Sequence, residues 1–228
     1  MKRQFSFLSS VLSLTLLFPL IGSSASISSL REKSLRASQV LDEVVKISDN
    51  SIPKTLLEKA VCIATIPDVI RGGFVFGARV GSGLVSCRTN GGWSQPSYLK
   101  VAGGSWGLQI GIATVDMVLV FVSKNAVDRL SVSNFTLGGD ISVAAGPVGR
   151  DAQAGTDYQL SSEVYSYSRS RGLFGGLVVE GASMMVDNES NMKMYSPDPT
   201  ALDLLTSSGQ TAPEETRSYV NSLNRNAP

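Results

Sequence analysis

The sequence predicts an α+β fold: a curved, glycine-rich antiparallel β-sheet that could close toward a barrel, flanked by N-terminal and C-terminal helices. Twenty of the 22 glycines lie between Gly72 and Gly181, inside apolar, β-favouring sequence. Glycine suits positions of positive φ, bulges and close backbone approach, so this block predicts strongly bent, tightly packed strands. The clearest helical spacing of apolar residues lies on either side of the block.

Residues 1–25 are predicted to be a secretory signal peptide. Lys2 and Arg3 give a positive start, an apolar stretch follows, and small residues precede the expected cleavage after Ala25. An uncleaved membrane anchor is the alternative, but Pro19 and the short apolar stretch favour cleavage. The expected location is therefore exported, in the periplasm or at the outer-membrane periphery of a bacterium.

Two helices are predicted before the sheet. Apolar positions repeat at helical spacing over residues 30–48, and Asp49-Asn50-Ser51 can cap a short second helix through Leu56 and Leu57. The apolar face of the first helix has two interpretations, which are packing on the core or contact with a lipid surface.

From Val61 the apolar period becomes that of strands, and Asn90-Gly91 predicts a tight hairpin turn. We expect one domain over residues 26–206, then a linker over 207–213 and a C-terminal helix over 214–224. The predicted strands are Val61–Ile66, Phe74–Val80, Leu84–Arg88, Tyr98–Ala102, Leu108–Val115, Val118–Ser123, Ile141–Ala145, Val164–Ser168 and Leu177–Met185, with short helices at Asn125–Leu130 and Ala201–Leu205.

The composition argues against several classes of protein. Without residues 1–25 the chain has 18 basic and 19 acidic residues, so nucleic acid is not an expected partner. It has no histidine and two cysteines, which predicts neither a zinc site nor a histidine-dependent hydrolase. The glycine cluster at 103–107 lacks the Lys-Ser/Thr ending of a phosphate-binding loop, and we expect no cofactor.

Three acids, Asp116, Asp140 and Glu180, lie in otherwise apolar sequence. Buried acids need partners, and structural ion pairs are a commoner reason for such residues than catalysis. We therefore predict a structural ion-pair network and no enzymatic activity. The candidate basic partners are Arg79, Arg88 and Arg150.

Cys62 and Cys87 each lie in predicted strand sequence. In an exported protein a disulfide between them is plausible, and two buried free thiols are the alternative. The sequence leaves this choice open.

Several motifs in order resemble the SYLF domain, also called the Ysc-type actin-binding domain, over about residues 35–205. The resembling segments include AVCIA, GWSQP, GGSWGLQIG, LGGD, AAGPVGR and YSRSRGLF. The residues of these motifs expected to be structural, together with one acid downstream, are Gly73, Phe74, Trp93, Gly104, Gln109, Asp140, Gly146, Pro147, Arg150 and Glu180.

This resemblance implies a lipid-binding domain, with phosphoinositide affinity in eukaryotic members and actin binding in fungal ones. It also implies the exported bacterial branch, in which the two cysteines and the GRDAQAGTD segment recur. Bacterial relatives are often lipoproteins, but this chain has no acceptor cysteine near residue 25.

The expected partner is an anionic membrane lipid. Basic residues of the first helix and two arginines beside serines are the candidate headgroup contacts; they are Arg31, Lys33, Arg36, Lys46, Arg169 and Arg171. The alternative function is a structural or protein-interaction scaffold of the periplasm that needs no lipid and whose protein partner the sequence does not name.

Overall fold

The computed structural model describes residues 25–46, 52–73, 76–106, 111–132, 134–147, 161–170, 173–176, 179–195 and 197–228. These residues form the expected α+β fold. Several sequence predictions concern residues outside the described part of the chain, among them the signal peptide up to residue 24, the cap at residues 49–51, Phe74, Gln109, Arg150 and Arg171.

Among the described residues, two helices precede the first strand, one lies between two strands, and three follow the last strand. They are α1 (Ile27–Lys46), α2 (Lys54–Glu58), α3 (Ala126–Ser131), α4 (Asn188–Met194), α5 (Ala201–Thr206) and α6 (Glu214–Asn226). Helix α4 was not predicted. Its N-cap Asp187 accepts a hydrogen bond from the backbone N–H of Ser190 at 3.3 Å.

Ten strands of the described residues form one sheet. They are β1 (Cys62–Gly73), β2 (Phe76–Thr89), β3 (Gly92–Trp93), β4 (Ser97–Trp106), β5 (Gly111–Phe121), β6 (Asn134–Thr136), β7 (Val143–Ala145), β8 (Val164–Ser170), β9 (Leu173–Gly176) and β10 (Ala182–Val186). The strand predicted over Leu177–Met185 corresponds to β10 from Ala182; residues 180 and 181 form a turn in which Gly181 has φ +76°, and residues 177 and 178 lie outside the described part of the chain.

The strand order is β6-β10-β4-β2-β1-β5-β8-β7, with β3 beside β2 and β9 beside β8. All pairs are antiparallel except β7–β8. The sheet curls strongly into a half-barrel, which confirms the predicted curvature. The expected hairpin at Asn90-Gly91 joins β2 to β3.

A bulge in β1 produces much of the local bend. The register of β1 shifts at Pro67-Asp68 against both neighbours, and Asp68 has φ +51°. Gly83 faces this bulge, and a Cβ there would lie 2.1 Å from the carbonyl oxygen of Thr65. Glycine therefore lets β2 pass the bulge as one continuous strand, whereas the sequence predicted two strands separated at residues 81–83.

Apolar residues cover both faces of the sheet near Cys62 and Cys87. One face packs under α3 and α5, and the other packs under α1, α2 and α6. Tyr219 of α6 is fully buried on the second face, where its hydroxyl donates a hydrogen bond to the Ile63 carbonyl at 3.0 Å. Helices from both ends of the chain are thus parts of one core.

The apolar stripe of α1 belongs to this core. Leu30, Ala37, Val40, Leu41 and Val44 are each at most 1% exposed. The interpretation in which this stripe meets a bilayer is therefore wrong, because the sheet and α6 already cover it. No helix in the described part of the chain is both long and apolar enough to cross a bilayer.

Candidate functional site

A cleft of about 540 Å³ lies between α1 and the sheet, beside the β1 bulge. Its walls come from α1, β1, β2, β4 and β10, so it exists only because the helix is held across these strands. The lining combines basic and apolar side chains with a few acids and serines; it is formed by Ser29, Glu32, Lys33, Arg36, Pro67, Asp68, Ile70, Val80, Gly81, Ser82, Lys100, Val101, Ala102 and Met185.

Lys33 is the half-buried cation of this cleft. Its ammonium donates a hydrogen bond to Ser82 Oγ on β2. Burial lowers the pKa of Lys33, the charge of Asp187 opposes this effect, and the charge of Lys100 adds to it. An anion in the cleft would therefore be attracted to an ammonium that has lost part of its hydration.

Two further cations border the same space. Lys100 Nζ lies 3.0 Å from Asp187 Oδ1, and Arg36 lies 3.5 Å from Asp68 Oδ1. The Lys100 side chain is 49% exposed and that of Arg36 is 37% exposed, so both can contact a ligand without breaking a fully buried ion pair. Lys33, Arg36 and Lys100 together make the cleft a candidate anion-binding site.

Asp116 lies at the centre of a network of ion pairs and hydrogen bonds beneath α1. It is 8% exposed, and its carboxylate accepts hydrogen bonds from Arg169 Nη2 at 2.8 Å and Nε at 3.2 Å. Arg169 also pairs with Glu43 of α1. Burial raises the pKa of Asp116, while a hydrogen bond from the backbone of Asp68 opposes that effect. This is the structural ion-pair network predicted for Asp116.

In the described part of the chain, Asp116 pairs with Arg169 at 2.8 Å and with Arg36 at 3.9 Å, whereas the sequence suggested Arg79, Arg88 and Arg150, the last of which lies outside the described residues. Arg88 instead donates hydrogen bonds to the carbonyls of Ala60, Leu57 and Ala227, and its guanidinium lies 4.8 Å from the centre of the Trp93 ring. Arg88 thus joins β2 to α2 and to the end of α6.

Five of the six candidate lipid contacts lie in the described part of the chain, and of these Lys33 and Arg36 line the cleft. Arg31 lies 3.5 Å from Glu214 Oε1, and Arg169 is held by Asp116 and Glu43. Lys46 is exposed at the last turn of α1, about 20 Å along the helix from Lys33.

Lys100 is the cleft residue that the sequence analysis missed. Tyr98, Lys100 and Ala102 alternate along β4 and share one face, which marks Lys100 as a charge on the helix-covered side of a strand. The alternation could have identified Lys100 as a charge on the covered face of β4. The sequence does not indicate how far Lys100 lies from α1.

Three of the motif residues, Trp93, Gly146 and Pro147, make contacts within the fold. Gly146 lies so close to the ring of Tyr167 that a Cβ at position 146 would be 2.1 Å from a ring carbon. The Tyr167 hydroxyl donates a hydrogen bond to the Pro147 carbonyl at 3.1 Å, and the Trp93 indole donates one to the Ala227 carbonyl at 2.8 Å. Gly104 has room for a side chain, since a Cβ would lie 3.8 Å from the nearest atom.

The three acids considered for catalysis do not share a cleft. Asp116 is paired beneath α1, whereas Asp140 is exposed in a turn and accepts a hydrogen bond from the Thr136 backbone at 2.7 Å. Glu180 is also exposed, close to Gly138 of that turn. Cys62 and Cys87 form a disulfide between directly paired positions of β1 and β2, with Cα atoms 4.0 Å apart.

The fold and the cleft define an α+β module in which a half-barrel sheet and a transverse helix enclose a basic and apolar site. The model of the Ysc84 family, described as "Las17-binding protein actin regulator", matches residues 102–226. The chain belongs to this family, which confirms the SYLF resemblance.

Curated relatives support the same assignment. The chain is 39% identical over 178 residues to the SH3 domain-containing YSC84-like protein 1 of Xenopus laevis, covering 75% of this chain and 53% of that protein. It is 37% identical to its human counterpart over 185 residues, covering 78% and 54%. Protein YSC84 of Saccharomyces cerevisiae is 37% identical over 187 residues, covering 78% and 40%. The chain thus spans about half the length of the animal relatives.

Proposed function

We propose that this chain is a non-catalytic module that binds an anionic phospholipid of a membrane surface. The observation that carries the proposal is the cleft beside α1, where Lys33, Arg36 and Lys100 converge on a space with apolar walls. Phosphate oxygens form strong, charge-assisted hydrogen bonds with ammonium and guanidinium groups. The apolar walls suit the glycerol and upper acyl region of the same lipid.

The headgroup contacts differ from those expected of a helix lying on a bilayer. Lys33 is held by its contact with Ser82, so the ammonium keeps a fixed position over β2. Ile70 and Val80, which are 51% and 56% exposed, extend from the apolar side of the cleft toward solvent. A lipid could place its phosphate at the cations and its chains along these two residues.

Vesicle co-sedimentation tests the proposal. The protein from residue 26 onward is mixed with phosphatidylcholine vesicles, with or without phosphatidylglycerol, at low and high salt. We expect salt-sensitive binding to the anionic vesicles. The triple variant K33Q/R36Q/K100Q should lose most of it, since each basic residue near an anionic surface contributes about 1 kcal/mol, or about fivefold in affinity.

The control variant K46Q/K54Q/K59Q removes the same charge from exposed lysines that do not line the cleft. It should retain more binding than the cleft variant. Equal losses in the two triple variants would show that net charge, rather than the cleft, determines binding.

A protein-binding scaffold is the second candidate function. It is favoured by the family description, which names Las17 binding and actin regulation. This function would give a stable complex in pull-down experiments and no dependence on vesicles. Absence of binding to any vesicle, together with such a complex, would replace the lipid proposal.

We further propose that the protein is exported to the periplasm or the outer-membrane periphery of a bacterium. The Cys62–Cys87 disulfide supports an oxidising compartment. Thiol labelling of the denatured protein after rapid acid quenching of cells would test this: the two cysteines should resist labelling until a reductant is added. Free thiols in the cellular protein would contradict export.

A further inference from the structure

The three central strands continue past the β1 bulge and beyond the helices. We call residues 70–73 of β1, 76–80 of β2 and 111–114 of β5 the outer sheet end. Ile112 is 82% exposed there, and Ile70 and Val80 are each more than half exposed. Large β-branched side chains exposed together on paired strands are unusual for a domain surrounded only by water.

The strand register places these apolar residues on one face. Ile70 lies opposite Val80 and Thr114, and Gly72 lies opposite Ala78 and Ile112. Directly opposed residues of antiparallel strands project from the same face. That face therefore carries Ile70, Val80, Ala78, Ile112 and Thr114, all of them uncharged, and it is continuous with the apolar wall of the cleft.

The opposite face of the same strands is basic. Arg71 lies directly opposite Arg79 on β2. Two like charges in this arrangement destabilise each other. Burial lowers the pKa of Arg79, and the charge of Arg71 lowers it further. Long arginine side chains can reach lipid headgroups around an apolar strand, and their guanidinium groups form charge-assisted hydrogen bonds with phosphate.

We infer that the outer sheet end inserts its apolar face into an anionic bilayer, with Ile112, Ile70 and Val80 among the acyl chains and Arg71 and Arg79 at the headgroups. Residues 70–73 span about 10 Å, which matches the depth to which interfacial amphipathic segments enter a bilayer. The inference rests on the proposed lipid-binding function and identifies the inserting element as strands rather than α1.

A fluorescent label at the outer sheet end tests this placement. An environment-sensitive nitrobenzoxadiazole dye is attached in the absence of reductant to I112C, with the Cys62–Cys87 disulfide intact. The matched control is L202C, because Leu202 is 46% exposed on α5 and outside this surface. On phosphatidylglycerol vesicles, the dye at 112 should shift to the blue and be quenched by nitroxide lipids. The dye at 202 should do neither.

Label-free variants provide a second measurement. I70S/I112S should lower the partition coefficient onto phosphatidylglycerol vesicles at least about tenfold. Full burial of one large apolar side chain raises such a coefficient by a factor of about ten or more. L202S should leave the partition coefficient unchanged. Circular dichroism should show the same fold in all three proteins.

The outcomes separate this inference from the proposed function. Vesicle binding with an aqueous dye at 112 would overturn insertion and leave the cleft proposal standing. Full binding by I70S/I112S would overturn both insertion and the placement of acyl chains along Ile70, and would leave only the cationic part of the cleft proposal. No vesicle binding by the wild-type protein would overturn both. A dye at 112 that is shielded without vesicles, in a protein that sediments as a dimer, would assign the surface to a second copy of the chain instead.

Discussion

The backbone N–H of Asp68 donates a hydrogen bond to Asp116 Oδ1 at 3.1 Å, across the β1–β5 pair. Asp68 is the bulge residue with φ +51°, and Asp116 also pairs with Arg169. One buried carboxylate therefore stabilises both the bend of β1 and the attachment of β8. Because Arg36 of α1 lies 3.5 Å from Asp68, the same contacts set the edge of the cleft.

Replacing Asp116 should destabilise the protein. Asp116→Ala leaves the Arg169 guanidinium without its carboxylate partner on the sheet and the Asp68 amide without its acceptor. We expect the free energy of unfolding to fall by about 2–4 kcal/mol, measured by urea denaturation. Asp198→Ala, at an exposed position, should change it by less than about 0.5 kcal/mol. An equally small change at Asp116 would contradict its structural role.

A methyl group at Gly83 should not fit. Its Cβ would lie 2.1 Å from the Thr65 carbonyl oxygen and 2.7 Å from the Ile66 Cα, and both are backbone atoms. We expect Gly83→Ala to lower the free energy of unfolding by about 3 kcal/mol. Gly104→Ala is the matched control, because a Cβ there would meet the described residues only in an ordinary contact at 3.8 Å, and its effect should be within about 0.5 kcal/mol. Similar thermal stability of the two variants would refute close approach at the bulge.

Asp42 should make the packing of α1 on α6 depend on pH. Its burial tends to raise the pKa, but hydrogen bonds from Ser222, Asn226 and Arg225 outweigh this effect and hold the pKa below its usual range. Because the pKa is lower in the folded than in the unfolded protein, the stabilisation is complete above about pH 4 to 5 and is lost as the pH falls further.

Asp42→Asn should therefore cost about 1 kcal/mol at pH 7, a modest value because the Arg225 side chain is 58% exposed and solvent screens the pair. The difference from wild type should shrink toward pH 3 in urea denaturation series. A deficit that stays constant from pH 7 to pH 3 would show that the charge of Asp42 is not its source.

The disulfide should stabilise the sheet against unfolding. It closes a loop between residues 25 apart in the sequence, worth about 3 kcal/mol in the chain-entropy model. Adding a reductant should lower the Tm of the wild-type protein, and the double variant C62A/C87A should show no response to the reductant. An unchanged Tm of the wild-type protein, with free thiols confirmed by labelling, would contradict this role.

The local features of this fold could be predicted from the sequence. The glycine-rich block predicted a bent sheet, helical spacing predicted α1 and α6, and Asn90-Gly91 predicted the β2–β3 turn. These features are set by backbone preference and by the period of apolar residues, so neighbours in the chain are enough to predict them. The ordered motifs also determined the family.

The structural roles of those same residues depended on the tertiary structure. The apolar face of α1 was compatible with a core or a bilayer, and the structure shows it in the core because α6, about 180 residues later in the chain, covers that face. The disulfide depended on Cys62 and Cys87 being opposed in the β1–β2 register. The cleft depended on Lys33 of α1 lying beside Lys100 of β4. Such pairings depend on long-range packing and register, which local sequence preferences do not specify.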